Sequence, residues 1–308
     1  EPDVVIASST YPLDIYPARR IAKYYGAKLV YEVHDLWPLS PMELGGYSKR
    51  HPFIMIMQKA ENDCYKNVDA VVSMLPLAEE HMKAHGLAAR KFYYVPNGIV
   101  LADWKNPTGL PEEHGILLNE LHKKGKFIVG FAGAHGIANS LYAVIDAVAL
   151  VEKQDVVLVL VGGGQEKNNL IKYTQKKKID NVYFLPPVNK LAIPSLLKEM
   201  DVLYVGLQRQ SLFRFGISPN KMFDYMMAAK PIIQAIEAGN NLVREADCGI
   251  DVEPDNKTEI SKAILNLKAM SQEERIEMGE NGRRFVLSHH TYQVLGKQFL
   301  DIMINLVE

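Results

Sequence analysis

Four stretches of this chain set ligand-competent residues just behind apolar, β-type runs, where a doubly wound sheet collects its ligands. Gly133-Ala134-His135-Gly136 follows Phe127–Ala132 and precedes a helix that Asn139 or Ser140 can cap. Glycines there let the backbone approach a phosphate, and a helix N-terminus offers free N–H groups. Gly162-Gly163-Gly164 follows Val156–Val161 in the same way, without the glycine spacing of a dinucleotide fingerprint. In Phe215-Gly216-Ile217-Ser218-Pro219-Asn220-Lys221-Met222-Phe223-Asp224-Tyr225-Met226, Ser218 reads as an N-cap and Pro219 as the first helical residue. That puts the positive end of a helix beside Asn220 and Lys221, a place for a diphosphate, with Asp224 one turn in and able to accept from ribose hydroxyls. In Glu32-Val33-His34-Asp35-Leu36-Trp37-Pro38, His34 and Asp35 read as a pair that orients a sugar hydroxyl or stabilises positive charge. Each stretch also has a plainer explanation: glycine needed for packing, a capped surface helix with solvated Lys and Asp, or a structural His–Asp hydrogen bond.

Two further groups look inert. His81 and His85 stand four apart on a helix, a zinc-compatible spacing, but no Cys or carboxylate partner suggests itself and a solvated face is expected. His289-His290 reads the same way. No Asp-x-Asp stands at a strand end to hold a divalent cation against a diphosphate, so no catalytic metal and no cofactor are expected.

The elements that must position these residues alternate. Short β-rich runs lie near Val4–Ala7, Lys28–Val33, Ala70–Ser73 and Phe92–Val95, with helical stretches around Pro17–Tyr25, Phe53–Lys66 and Ala78–His85. After the turn Pro96-Asn97-Gly98 and a polar helix around Pro111–Lys123, a second series follows. Its runs are Phe127–Ala132, Val156–Val161, Asn181–Leu185, Val202–Gly206 and Pro231–Ala235, and an amphipathic helix, Thr291–Val307, closes the chain. Such alternation predicts an α/β fold with parallel sheets. The chain's 308 residues suit two domains: 1–105, and 106–290 carrying the nucleotide site, with 291–308 packing back on the first. With 35 basic and 36 acidic residues the net charge is −1, which gives no bulk attraction for nucleic acid. Only Cys64 and Cys248 are present, against a disulfide scaffold and consistent with a reducing cytoplasm. No apolar run approaches the roughly 20 residues of a membrane helix.

In order and spacing these segments resemble the family-4 glycosyltransferases, the "glycosyl transferases group 1" family, and its bacterial O-antigen, capsule and lipopolysaccharide members most. The likeness runs through Pro2-Asp3-Val4-Val5, Val33-His34-Asp35-Leu36-Trp37-Pro38, Val95-Pro96-Asn97-Gly98-Ile99, Gly130-Phe131-Ala132-Gly133, Val161-Gly162-Gly163-Gly164, Asp201-Val202 and Ser218 to Met226. It implies a GT-B fold of two Rossmann-like domains, donor in the C-terminal one and acceptor in the N-terminal one. It implies a retaining transfer, without metal, from a nucleoside diphosphate sugar, a UDP-linked one, to a lipid-linked saccharide. By the same resemblance Asp224 is the second acid of the family's E-x7-E pair and holds ribose. Ser218, Pro219, Asn220 and Lys221 meet the β-phosphate and sugar. Gly133, His135, Gly136 and Gly163 lie at the diphosphate, and Pro187 and Val188 meet the base. His34 lies near the transferred sugar, with Asp35 and Trp37 on the acceptor side. A lipid-linked acceptor implies peripheral contact with the inner face of the cell membrane.

The departures are specific. Gly216 stands where the first acid belongs, and Ala134 and a polar residue near Asn139 replace the family's Arg and Lys, leaving Lys221 and Arg214 to neutralise the diphosphate. Ala229 replaces a helix-ending glycine. Family members also carry roughly three βα units, each of about 30 residues, before the Pro-Asp-Val-Val strand. The N-terminal domain is therefore expected to be incomplete, with donor binding kept and transfer weak or absent. The rival readings are a UDP-sugar 2-epimerase, separable by acceptor-dependent release of UDP; a nucleotide-dependent oxidoreductase, which NAD(P) titration tests; and a non-catalytic nucleotide-sugar-binding paralogue.

Overall fold

A computed structural model describes residues 1–308, the side chain of Ser9 excepted. Two wholly parallel sheets form its two halves. The first runs β1 (Val4–Ser9), β2 (Lys28–Val33), β3 (Ala70–Ser73) and β4 (Phe92–Tyr94) in simple sequential order. The second comprises β5 (Phe127–Ala132), β6 (Val156–Val161), β7 (Val182–Leu185), β8 (Val202–Gly206), β9 (Ile232–Ala235) and β10 (Gly249–Val252), in the order β10-β9-β8-β5-β6-β7. The unbroken apolar run of β6, with every residue buried, reflects helices covering both faces of a parallel sheet.

Strand order reverses between β5 and β8. The chain leaves β5 towards β6 and β7, then returns to lay β8 on the other side of β5. The loops behind these two strands therefore diverge and open a crevice, the place where such sheets bind ligands.

The helix Glu112–Lys123 buries Leu118 and Leu121 in the core of the second half. A capping box between Ser271 and Glu274 starts the helix Gln272–His289. Thr291 then caps Tyr292–Val307, which crosses back and packs Ile302 and Met303 on Val30, Ala70 and Val72 of the first sheet. The chain thus passes between the halves twice, and the crossings touch: Ile99 pairs with Thr291 as a parallel β-bridge. Cys64 and Cys248 are buried free thiols. No helix is long and apolar enough to cross a membrane.

The strand β10, the helices Lys257–Ala269 and Gln272–His289, and a short helix after β2 were not foreseen. Leu39–Gly45 follows directly on β2 because the Asp35 carboxylate accepts from the Leu36 N–H at 2.8 Å and the Ser40 hydroxyl at 2.6 Å. Asp35 thus ties the turn after β2 to the helix through Ser40, and is not the partner of His34. The His34 Nε2 instead meets the Ser8 Oγ at 3.0 Å and the Glu32 carboxylate at 3.5 Å.

Candidate functional site

The crevice at the strand reversal is built from the loops behind β5, β6 and β7 on one side and the start of the helix Asn220–Met227, which follows β8, on the other. Behind β5, Gly133 takes φ +153 and Gly162 takes φ +149, conformations open to glycine. The two loops are pressed together: a Cβ on Gly162 would stand 1.9 Å from the Gly133 carbonyl oxygen. The His135 N–H donates to the Gly163 carbonyl at 2.7 Å, and Lys167 clamps the same loop from below through the Gly162 and Leu185 carbonyls at 2.8 and 2.7 Å. Gly163 has open space where a side chain would be, and faces a cleft of about 380 Å³. Ala132, Gly133, Ala134, Val161, Gly162, Gly163, Pro187, Val188 and Ile193 line this cleft. Its size is that of a small-ligand site, and the His114 Nε2–H, donating to the Pro186 carbonyl at 2.9 Å, fixes its Pro187–Val188 wall.

On the other side of the crevice, the helix Asn220–Met227 is pinned to the end of β5 by Tyr225. The Tyr225 hydroxyl accepts from the Ala132 N–H at 2.8 Å and stands 3.2 Å from the Ala132 carbonyl. That anchorage turns the first helical turn onto the glycine loop. The Lys221 Nζ donates to the Asn139 Oδ1 at 2.5 Å and lies 4.5 Å above the Phe131 ring. It also sits 3.4 Å from where a Gly133 Cβ would be. Burial pulls the Lys221 ammonium down to about 8, and among the described residues no carboxylate is paired with it. A mostly buried cation without a counter-ion, at a helix N-terminus and on a glycine loop, is an anion site in waiting.

His135 is sealed in the loop, 0% exposed, between Phe131 and Phe184, and neither ring nitrogen has a partner among the described residues. Desolvation first, then the Lys167 and Lys221 charges, push it down to about 4, so at neutral pH it is uncharged. It supports the loop's shape and does not reach a ligand directly; Gly136 stays open beside it.

Two sequence readings change here. Ser218 does not cap the helix: its Oγ accepts the Asn97 N–H at 2.9 Å, and Pro219 occupies the N-cap position instead of the first turn. The Asn97 amide also donates to the Ser218 carbonyl at 2.7 Å, so the Pro96-Asn97-Gly98 crossing is bolted to the start of the helix. Arg214 does not face the glycine loop; it forms a two-pronged pair with Glu43 of the first half at 2.7 and 2.8 Å, which holds the Glu43 carboxyl below its usual range. Asp224 is not among the residues lining the 380 Å³ cleft. Burial raises its carboxyl to about 6, opposed by the nearby Lys190 and a hydrogen bond from Trp104.

The two halves meet beside this site. A second cleft of about 400 Å³, mostly apolar, is lined by Asp35, Leu36, Leu44 and Leu75 from the first half and by Leu207, Leu212, Phe213, Gly216, Ile217, Ser218 and Pro219 from the second. It brings the acceptor-side segment of the sequence against the start of the Lys221 helix. Trp37 stands at the rim of that segment, packed edge-on against Tyr11 and Phe53. Gly216 is fixed in this contact. It takes φ +97, and a Cβ there would lie 2.5 Å from the Pro76 ring. An acidic side chain at this position has no room.

The residues that sequence reasoning passed over are Tyr225, Asn97, Lys167 and His114. Only Asn97, inside a turn tripeptide, carried any local signal.

Comparison with known proteins agrees with this geometry. A putative colanic acid biosynthesis glycosyl transferase, WcaI of Escherichia coli K12, is 25% identical over 227 residues, 73% of this chain; the chain spans 55% of that relative's length. Anabaena Alr3699/HepE in complex with UDP superposes with a TM-score of 0.76 at 16% identity, over 98% of this chain and 79% of that one. Sucrose-phosphate synthase from Thermosynechococcus elongatus does so with a TM-score of 0.74 at 16% identity, over 99% of this chain and 73% of that one. These structural likenesses establish the GT-B fold. The Glycosyltransferase Family 4 model matches residues 1–103. The model described as Glycosyl transferases group 1 matches residues 118–285, more than half of the chain, and the protein belongs to that family.

Proposed function

We propose that this chain binds a UDP-sugar in the crevice between β5 and β8 and serves a retaining glycosyltransferase. The enzyme would move a hexosyl or N-acetylhexosaminyl group to a hydroxyl of a lipid-linked saccharide in cell-surface polysaccharide synthesis. The single observation that carries the reading is Lys221, buried and without a counter-ion above the Gly133 loop. The UDP and UDP-glucose bound by HepE and the colanic acid role in the WcaI name point to the same donor and product classes.

During transfer the bond from the sugar's C1 to the β-phosphate oxygen breaks. The acceptor oxygen bonds to C1, and its proton passes to the departing phosphate. Negative charge grows on the leaving diphosphate, where the N–H groups of Asn220 and Lys221 at the helix start and the Lys221 ammonium would stabilise it; such preorganised groups contribute several kcal/mol. Pro187 and Val188 take the base. Asp224 takes the ribose, exchanging its Trp104 hydrogen bond for hydroxyls. His34, exposed at the end of β2, lies on the side from which the sugar and acceptor arrive. No step in this scheme calls for a metal. For membrane contact the first half offers the helix Ile15–Tyr25, where Ile21 and Tyr24 are exposed beside Arg19, Arg20 and Lys23.

A thermal-shift panel of UDP, GDP, ADP and their sugars tests the donor, because a ligand of the native state raises Tm with the logarithm of its concentration over Kd. UDP and its sugars should stabilise the chain; no response to any nucleotide would remove the proposal. A second reading, a nucleotide-sugar-binding protein without transferase activity, draws on Gly216, where Pro76 fills the space that an acidic side chain would need. Release of UDP from UDP-sugars only on addition of lipid-linked acceptor would exclude it.

A further inference from the structure

We propose that Glu61, His81 and His85 form a binding site for one zinc-class dication at the face where the two halves meet. The sequence offered two histidines four residues apart and no visible partner. The fold supplies one: Glu61, on the helix Pro52–Asn67, is 1% exposed and lies against them. One donor atom from each of the three residues lies within 4.8 Å of the others. The Glu61 Oε1 to His81 Nε2 separation is 3.2 Å. That is about the edge of a tetrahedron whose bonds are roughly 2.0–2.1 Å, the Zn–N and Zn–O length.

The surrounding groups are arranged as outer partners of metal ligands are. The His85 Nδ1 lies 2.8 Å from the His81 carbonyl, to which it donates, leaving the Nε2 lone pair available. The second Glu61 oxygen accepts from the Gln58 amide at 2.6 Å, and the Tyr65 hydroxyl bonds to the same carboxylate. Among the described residues no Lys or Arg pairs with this buried carboxylate; its ion-pair partner is His81, which is charged only when protonated. A buried carboxylate calls for a firm positive partner. Two imidazoles with one carboxylate suit zinc and its transition-metal neighbours, and do not suit the all-oxygen coordination of calcium or magnesium. Three protein ligands leave a fourth position for water. The Phe215 ring, from the second half, covers His81 at 5.4 Å, so the ion would brace the surface on which the 211–217 turn rests.

The test uses the whole chain freed of metal by chelator and titrated with Zn²⁺ against a chromophoric competitor, and with Co²⁺ followed by its visible absorption. One ion per chain at micromolar affinity or tighter is expected, with a rise in Tm. His85→Gln, at a partly exposed position, should keep the metal-free Tm and weaken binding at least about tenfold. Glu61→Gln should do the same to affinity, while Lys221→Met, away from the cluster, should leave it unchanged. Absent or substoichiometric binding, or equal affinity in His85→Gln, would overturn the proposal and leave a hydrogen-bonded triad.

Discussion

Replacing Lys221 by Met should move apo stability and donor affinity in opposite directions. The fall of its ammonium from 10.5 to about 8 corresponds to about 3 kcal/mol against the charged form in the folded chain. Against this stand the hydrogen bond to Asn139 and the contact with the Phe131 face, each contributing about 1 kcal/mol. Methionine fills similar space without the charge, so the variant should gain about 1 kcal/mol, or about 2 °C in Tm for a chain of this size. A diphosphate in the crevice reverses the sign. Losing a hydrogen bond to a charged partner costs about 2 kcal/mol, so UDP should bind about 30-fold more weakly. The stability gain also has a pH window. A depressed lysine withholds stability below its folded value and restores it above its unfolded one, so the Tm difference should shrink as pH rises from about 8 to 10.5. Thermal melts with and without UDP, plus calorimetric titration, read all three quantities. A variant that melts lower than the parent yet binds UDP equally well would show that Lys221 is a structural lysine and refute the reasoning.

UDP affinity of the unaltered chain should fall about tenfold per pH unit above about 8, with proton uptake on binding, measurable by titration in two buffers of different ionisation enthalpy. Ala229→Gly should raise Tm by about 2 °C, because Ala229 ends its helix at φ +53, where glycine is about 1 kcal/mol better. Arg214→Ala should leave UDP affinity within about twofold and lower Tm by no more than about 2 °C, since the half-exposed pair with Glu43 contributes at most about 1 kcal/mol. A large loss of UDP binding in that variant would return Arg214 to the diphosphate.

The alternation of strands and helices was legible because burial on two faces leaves runs such as Val156–Val161 without polar interruption. Gly133, Gly163, Val188 and Lys221 were legible as neighbours of one crevice because they follow strands, and strand ends converge at the reversal of order. Caps and pairs were less visible. Ser218-Pro219 has the composition of a helix start, yet Asn97, far away in sequence, takes the Ser218 hydroxyl. Arg214 is as basic as a phosphate ligand should be, and only the approach of Glu43 across the domain contact diverts it. His81 read as solvated because Glu61 lies on another helix. In each case a long-range partner competes with the local signal, and no local pattern encodes such a partner.

The adjoining crossings at Ile99 and Thr291 have a mechanical consequence. A single tether would let the halves swivel freely, but two tethers joined side by side form a strap. The strap is tight: a Cβ on Gly98 would lie 2.4 Å from the His290 carbonyl, and the Ile99 N–H donates to that oxygen at 2.8 Å. Such a strap resists torsion more than bending, and would confine relative movement of the two halves to a hinge about one line. Because Asn97 grips Ser218, the pivot line runs alongside the first turn of the Lys221 helix. The first turn of the Lys221 helix therefore sits where bending of the strap would displace it least, while the far edge of the first half would swing through the wider arc.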